Sequence, residues 1–403
     1  MARSRITRPA ALAAAAATVV LVAGTAPAAV AAPADRLPAA QLLPVPQGAL
    51  HSLVSGLNSG GTVIGQYFLE GSDGPLAVRW KAGRPGYTRL APLPGEQYSR
   101  TSALSDSGTV VGLSYNSLLA SHPVRWAPDG TPTPLTLPAG SSGGNASSVN
   151  DDGVAVGDAF DAGNRYSPVR WRPDGTGTGL PALPGDDSGS AAAINDAGTA
   201  VGWSGRHGAG GTAHPVVWNA AGRVRALPLP AGITDGKATR ITGNGVVLGQ
   251  GRTAGNTEYD RVLVWAADGT VRDAGFGLAR SVNRRGTAVG TSLEGTVYGN
   301  PARWAADGTQ TVLANPAAPA GEALGVNNRG TAVGYGWPPG DNPALDKALL
   351  WKPDGTVVPL PPSPLGPYSA ATYVNDSEVI AGVAVGTDAA GRASVWRAAV
   401  WKR

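Results

Sequence analysis

Cysteine is absent from this chain of 403 residues, and histidine, with four copies, and phenylalanine, with three, are scarce. The lack of thiols excludes cysteine nucleophiles, thiolate metal sites and disulfide frameworks. No two histidines stand at the spacing of a metal-binding helix, and neither a Walker loop nor a Gly-x-Ser-x-Gly elbow occurs. We therefore expect no metal site, no cofactor and no catalytic residue of these classes.

A net positive charge is nearly absent once the first 31 residues are set aside. The formal net charge of the chain is +4, and Arg3, Arg5 and Arg8 contribute three of these charges with no acid beside them, which leaves +1. This balance gives no electrostatic footprint for nucleic acid or for an anionic membrane. No segment after the first 31 residues is long and apolar enough to span a bilayer.

The first 31 residues have the form of a cleavable signal peptide. The three arginines precede an apolar run from Ala10 to Gly24, and Ala29-Val30-Ala31 provides the small-x-small cleavage pattern. An uncleaved anchor helix is the alternative, although the run is short for a span of about 20 residues. We expect cleavage after Ala31, secretion, and a mature chain of residues 32–403.

One unit of about 45 residues recurs eight times in the mature chain. Each copy contains a turn such as SVNDDGVAVG (148–157) or GVNNRGTAVG (325–334), followed by a short apolar strand that ends in Trp. The Asn column of the turn holds Asn58, Asn150, Asn195, Asn283, Asn327 and Asn375, with Ser105 and Thr242 as exceptions. The Trp column holds Trp80, Trp126, Trp171, Trp218, Trp265, Trp304, Trp351 and Trp401.

Each unit reads as four β-strands, because its apolar runs are short, β-branched and bounded by Gly, Pro, Asn and Asp. We name them by their sequence: the Asn strand leads into the Asn column, the Val-Gly strand follows the turn, the Trp strand ends in Trp, and the Leu-Pro strand closes the unit. The Asn-x-x-Gly and Asp-Gly links are predicted tight hairpin turns.

Four-stranded units of this period are typical of a β-propeller. The last unit stops after Trp401 without a Leu-Pro strand, and Gln41 to Pro46 has the sequence of one. The prediction is therefore a single all-β domain with eight blades of four antiparallel strands, closed by the N-terminal strand. An open β-solenoid and a ring of seven blades are the alternatives, and which strand is innermost stays open.

The unit resembles the HAF repeat of bacterial extracellular proteins, which has the pattern Ile-Asn-x-x-Gly-x-x-Val-Gly followed by His-Ala-Phe-x-Trp. The Asn, Gly and Trp columns match over nearly all of the mature chain, whereas the His is kept only at His122 and His214. The resemblance implies an extracellular repeat protein without assigned chemistry, and it provides no catalytic residue.

Residues that recur in every unit are expected to be scaffold, the Asn as turn caps and the Trp as packing between units. The acidic pairs Asp151-Asp152 and Asp186-Asp187 lack the alternating spacing of a calcium loop. Ligand contacts are instead expected where the units differ, on the face that carries the two longer connections of each unit, which we call the long-loop face. The candidate ligand-binding residues there are Tyr67, Tyr115, Phe160, Trp203, Arg206, His207, Tyr259, Tyr335 and Trp337.

These residues predict an exported, non-catalytic and monomeric protein that binds a glycan or an extracellular protein. A secreted glycoside hydrolase or lyase is the alternative, and it requires two carboxylates that converge on the long-loop face. A purely structural or adhesive surface protein is a third hypothesis.

Overall fold

The structure is a computed structural model that describes residues 37–117, 120–208, 211–296, 299–316, 320–337 and 346–402. Within these ranges the regular elements are β-strands and no α-helix occurs, so no helix has the length and apolarity of a membrane span. The predicted signal peptide, residues 1–31, lies outside the described residues.

The strands fall into the repeated units predicted from the sequence. In the first half of the chain they are β1 Gln41–Leu42, β2 Ala49–Leu57, β3 Thr62–Leu69, β4 Leu76–Lys81, β5 Thr88–Leu90, β6 Tyr98–Leu104, β7 Val110–Tyr115, β8 His122–Trp126, β9 Pro132–Pro134, β10 Gly143–Val149, β11 Ala155–Phe160, β12 Tyr166–Trp171, β13 Gly177–Gly179, β14 Ser188–Ile194, β15 Ala200–Gly205, β16 Ala213–Trp218 and β17 Val224–Ala226. In the second half they are β18 Ile233–Ile241, β19 Val247–Thr253, β20 Arg261–Trp265, β21 Val271–Val282, β22 Ala288–Ser292, β23 Asn300–Trp304, β24 Gln310–Val312, β25 Ala320–Val326, β26 Ala332–Trp337, β27 Lys347–Trp351, β28 Val357–Pro359, β29 Tyr368–Val374, β30 Ile380–Thr387 and β31 Ala393–Trp401.

The described strands form six antiparallel sheets of four strands and one of seven. Each unit pairs its strands in the order Asn, Val-Gly, Trp and Leu-Pro, as in β2-β3-β4-β5. The seven-stranded sheet spans the fifth and sixth units because β21 continues from the Leu-Pro position of one unit into the Asn strand of the next. The connection between sheets therefore runs from the Leu-Pro strand to the following Asn strand.

The Asn strands of successive units contact one another, and β29 of the eighth unit contacts β2 of the first. Strand β1 pairs with β31, the last Trp strand, with Leu42 opposite Ala399. The next residue, Leu43, donates its N–H to the carbonyl of Ala398 at 2.8 Å, as Leu135 does to Pro123 in the second unit. The N-terminal strand thus takes the Leu-Pro position in the last sheet.

The Asn column joins neighbouring units as well as capping turns. The six side chains are buried, and each Oδ1 accepts the N–H of the residue four positions later at 2.8 to 3.0 Å. Each Nδ2 donates to the carbonyl of the equivalent residue in the next unit at 3.0 to 3.2 Å, and Asn375 reaches Asn58 in this way. Ser105 and Thr242 keep only the turn cap, because a hydroxyl is too short to reach the next unit.

The glycine that ends each Val-Gly motif is required by close packing inside the sheet. A Cβ on these eight glycines would lie 1.9 to 2.3 Å from a main-chain carbonyl oxygen of the adjacent Asn strand, as Gly157 does against Asn145. The register of each Asn strand shifts at this point, which is a β-bulge. The other repeated glycine takes a positive φ in the turn, and Glu378, which replaces it in the eighth unit, has φ 58°.

The Trp column forms the centre of the core between sheets, since every one of the eight side chains is at most 2% exposed. Seven indole N–H groups donate to a main-chain carbonyl of the preceding Leu-Pro segment at 2.6 to 2.9 Å, beginning with Trp80 to Pro44. Trp304 bonds Gln310 instead, where β21 runs through without a break. The repeated tryptophans are therefore occupied inside the scaffold.

Candidate functional site

The residue type changes from unit to unit at one position of the Asn strand, five residues before the Asn column. This inner row consists of Leu53, Arg100, Asn145, Ser190, Lys237, Leu278, Glu322 and Ala370. Every member is partly or fully exposed, although the strands themselves contact each other from unit to unit. Each pairs with the residue after the Val-Gly glycine, so the row lies toward the long-loop face.

The fourth and fifth units bring together a group that we call the cation–aromatic cluster, formed by Trp203, Asp235, Lys237, Arg252 and Tyr259. The Lys237 Nζ lies 5.0 Å from the ring centroid of Trp203 and 4.8 Å from that of Tyr259. The Arg252 guanidinium lies 5.1 Å from the Tyr259 ring and donates to Asp235 at 3.1 Å. Stacking of cations on aromatic rings holds these side chains in place.

The two cations of this cluster differ in their ion pairing, because Arg252 is paired with Asp235 and Lys237 is not. Burial lowers the pKa of Lys237, the charge of Arg252 lowers it further, and Asp235 opposes the change. Burial also disfavours ionisation of Asp235, but hydrogen bonds from Arg252, the Ala213 N–H and the Thr234 hydroxyl outweigh it and lower the pKa of Asp235. Asp235 is thus committed to Arg252, and Lys237 is left as the uncompensated charge.

A second group, the carboxyl cluster, contains Arg280, Glu322, Tyr335, Trp337 and Asp346. The Glu322 carboxylate accepts hydrogen bonds from Tyr335 Oη at 2.9 Å and from Arg280 Nε at 2.6 Å. The rings of Tyr335 and Trp337 pack with centroids 5.6 Å apart. Burial and the charge of Glu322 raise the pKa of Asp346 to about 7. Asp346 Oδ1 is buried and has no hydrogen-bond partner among the described residues.

An apolar cavity of about 310 Å³ lies where the eighth unit meets the first, and His51, Leu53, Phe68 and Trp396 line it. The main-chain N–H of Trp396 donates to His51 Nδ1 at 3.3 Å, and the two rings meet edge to face with centroids 5.0 Å apart. Trp396 is outside the repeated column, so this cavity is specific to one junction.

The remaining predicted ligand residues do not join these clusters, and their placement corrects the sequence analysis. Tyr67 and Tyr115 lie in the Val-Gly strands β3 and β7 instead of in loops, and their side chains are buried. Phe160 ends strand β11 and packs against Tyr166 at 5.9 Å.

Arg206 and His207 are exposed in the connection after β15 and bind the preceding connection. Arg206 Nε donates to the carbonyl of Gly185 at 3.0 Å, and the His207 N–H donates to the Asp187 carboxylate at 2.8 Å. These two contacts hold the two long connections of neighbouring units together.

Trp203, Tyr335 and Trp337 also lie in strands. Trp203 pairs with Ser190 and Tyr335 with Glu322 of the inner row, and Trp337 packs against Tyr335. Sequence reasoning missed the charged residues Arg100, Lys237 and Glu322 because it searched the variable loops. The available signal was variation at a fixed position of an otherwise regular strand. The Asp158 carboxyl group also reaches the row, where Ser190 donates to it at 2.7 Å. Burial raises the pKa of Asp158.

The described residues contain no group of three or more His, Asp or Glu side chains placed to hold a metal ion. No protein-family model matches the sequence, and no curated protein does so. Solved structures match the fold.

A prolyl endopeptidase matches with a TM-score of 0.56 and 10% identity over 83% of this chain and 54% of its own. A puromycin hydrolase matches with a TM-score of 0.50 and 14% identity over 89% and 56%. TolB from Acinetobacter baumannii has a TM-score of 0.39 and 14% identity over 65% and 62%. This chain thus spans less than two thirds of each, and the first two likenesses support a propeller-like repeat fold alone.

Proposed function

We propose that this chain is an exported β-propeller of eight four-stranded blades, closed by its N-terminal strand, that binds a ligand on the long-loop face. Closure is supported by three contacts between the chain ends: β1 on β31, β29 on β2, and Asn375 Nδ2 on the carbonyl of Asn58. The first repeats the pairing of the Trp and Leu-Pro strands within a unit, and the other two repeat contacts found between consecutive units. In a closed ring every sheet has a neighbouring sheet on each side, whereas an open array would leave the first and last sheets uncovered on one side.

The export signal over residues 1–31 and the single domain over residues 32–403 are part of this proposal. Relationship to the HAF-repeat proteins is likewise proposed, on the Asn, Gly and Trp columns of the sequence. The protein would act outside the cytoplasm as a monomer, and its partner would be a carbohydrate or an extracellular protein.

The binding function is carried by one observation, the cation–aromatic cluster. Trp203 and Tyr259 come from different units and approach the same cation, Lys237, on the exposed inner row. Aromatic rings beside a few polar groups in a concave site suit recognition of a ligand that is partly apolar and partly polar. Scaffold packing alone would not require a charged group between these rings.

The test is a binding panel of cell-wall glycans and extracellular proteins against residues 32–403. Ligands would be found by microarray and measured by titration calorimetry. Trp203→Ala combined with Tyr259→Ala is expected to abolish binding, whereas the exposed Tyr87→Ala, in the tight turn between β4 and β5, serves as the matched control. The proposal fails if no ligand of the panel binds, or if the double variant binds as well as Tyr87→Ala.

A secreted glycoside hydrolase or lyase is the second candidate, and the carboxyl cluster favours it. Glu322 accepts hydrogen bonds from Arg280 and Tyr335, and it faces a second carboxyl group, Asp346. The pKa of Asp346, raised to about 7, keeps that group partly protonated at neutral pH. Such a pair can supply an acid and a base. New reducing ends or unsaturated sugars, formed from the same glycan panel and lost in Glu322→Gln, would support this candidate over pure binding.

A further inference from the structure

The charges of the inner row are unevenly compensated. Its one carboxylate, Glu322, is paired with Arg280, and its amide and hydroxyl, Asn145 and Ser190, have hydrogen-bond partners. Its two cations, Arg100 and Lys237, have no ion pair and no hydrogen bond from the side chain to any described residue. The row therefore carries two positive charges that no carboxylate of the described residues pairs with.

Both cations are held by aromatic rings rather than by acids. Lys237 Nζ stands between Trp203 and Tyr259, and the Arg100 guanidinium lies 5.8 Å from the ring of Tyr115. The nearby carboxylate Asp235 already accepts from Arg252, Ala213 and Thr234. Arg100 Nε is buried without an acceptor among the described residues, and a buried donor that stays unmet is unfavourable.

We propose that the inner row binds an acidic glycan, with the carboxylate of a uronic-acid residue on Lys237, the apolar face of the sugar ring on Trp203, and a further carboxylate on Arg100. Lys237 belongs to the fifth unit and Arg100 to the second, so a polymer with repeated carboxylates suits the two sites. This inference rests on the proposed binding function and specifies its ligand.

A glycan is favoured over an acidic peptide by the aromatic groups around the cations. An acidic side chain offers a carboxylate on a flexible stem, whereas a uronic acid offers a carboxylate fixed to a ring whose C–H face can cover an indole. The half-buried Trp203 lies on the strand next to the inner row, opposite Ser190. Charge and stacking are thus available at one place.

The experiment measures binding of an oligogalacturonate, its methyl ester and poly-glutamate to residues 32–403 by titration calorimetry. The oligogalacturonate is expected to bind, and the uncharged ester to bind at least about tenfold more weakly, the size of one charge-assisted hydrogen bond. Raising the salt from about 50 to 500 mM should weaken binding of the acid, since exposed ion pairs are screened. Poly-glutamate should bind more weakly than the oligogalacturonate.

Variants test the assigned residue. Lys237→Met should weaken binding of the oligogalacturonate about tenfold or more. Lys237→Arg keeps the charge and should retain most of the affinity, and so should Lys402→Met, which removes the same charge from an exposed site after the last strand. Equal melting temperatures would establish that all three variants fold.

Three results would overturn the inference while leaving the proposed binding function standing. These are equal affinity for acid and ester, equal affinity of Lys237→Met and Lys402→Met, and tighter binding of poly-glutamate than of the oligogalacturonate. If neither these probes nor any ligand of the wider panel binds, the proposed function fails with the inference.

Discussion

Replacing Asn327 tests whether the Asn column links neighbouring units. This side chain is 3% exposed, and it accepts the N–H groups of Arg329 at 3.1 Å and Thr331 at 2.9 Å and donates to the carbonyl of Asn375 at 3.1 Å. Asn327→Ala leaves these three main-chain groups without their partner. At about 1 kcal/mol for each hydrogen bond, the expected loss of unfolding free energy is about 3 kcal/mol.

Asn327→Ser distinguishes the hydrogen bond that caps the turn, from the Thr331 N–H, from the one that links this unit to the next, to the Asn375 carbonyl. A serine hydroxyl accepts the N–H four residues later, as Ser105 does from Thr109 at 3.1 Å, but it does not reach the next unit. The expected loss is therefore about 2 kcal/mol, because the bonds to the Asn375 carbonyl and from the Arg329 N–H are both lost. The reciprocal variant Ser105→Asn should gain a bond to the carbonyl of Asn150 and raise the unfolding free energy by about 1 kcal/mol.

Equilibrium unfolding in urea, followed by tryptophan fluorescence, measures these differences from the transition midpoints at constant m-value. The three variants form an ordered series, with the alanine least stable and Ser105→Asn most stable. If Asn327→Ser loses no more than about 1 kcal/mol, the contribution of the Arg329 bond alone, and Ser105→Asn gains nothing, the bond between units contributes nothing and the column acts only on its own turn.

Two further predictions concern closure and pH. Deleting residues 39–46 removes β1, the buried Leu43 and the carbonyl of Pro44 that Trp80 binds, so the melting temperature should fall clearly. The milder Leu43→Ala should lower the unfolding free energy by about 2–5 kcal/mol. An unchanged melting temperature after the deletion would argue against a closed ring. Asp346 has a folded-state pKa of about 7, above its unfolded value near 4, so its contribution to stability is full below pH 4 and is lost as the pH rises through 7. Asp346→Asn should therefore leave stability unchanged at pH 4 and raise it at pH 8 by about 2 kcal/mol, after discounting for screening. Thermal melts at pH 4 and pH 8 measure this difference. An equal effect of the substitution at the two pH values would contradict the reasoning.

The strand content and the two kinds of turn could be predicted from the sequence because they depend on local chemistry. The glycine that ends the Val-Gly motif has a local cause as well, since a Cβ at Gly157 would overlap the carbonyl of Asn145 in the paired strand. The resemblance of Gln41 to Pro46 to a Leu-Pro strand likewise indicated where β1 would pair. These features depend on residues that recur, and recurrence is visible in one sequence.

The candidate site could not be predicted in the same way. The sequence left open which strand of a unit contacts its neighbours, and that choice decides which side chains line the inner row. The residues predicted as ligand contacts were therefore those of the variable loops, and they included Tyr67 and Tyr115, which are buried in the sheets. They did not include Lys237 and Arg100, which lie inside regular strands.

By itself, the sequence determined the repeat, the four strands of each unit and the residues that every unit needs, because hydrogen bonding in turns and alternation along strands act over a few residues. Only the tertiary structure decided that the Asn strands contact one another. That packing brings Trp203, Lys237 and Tyr259 to one place across a unit boundary. Contacts between units depend on side chains far apart in the chain, and no local rule fixes them.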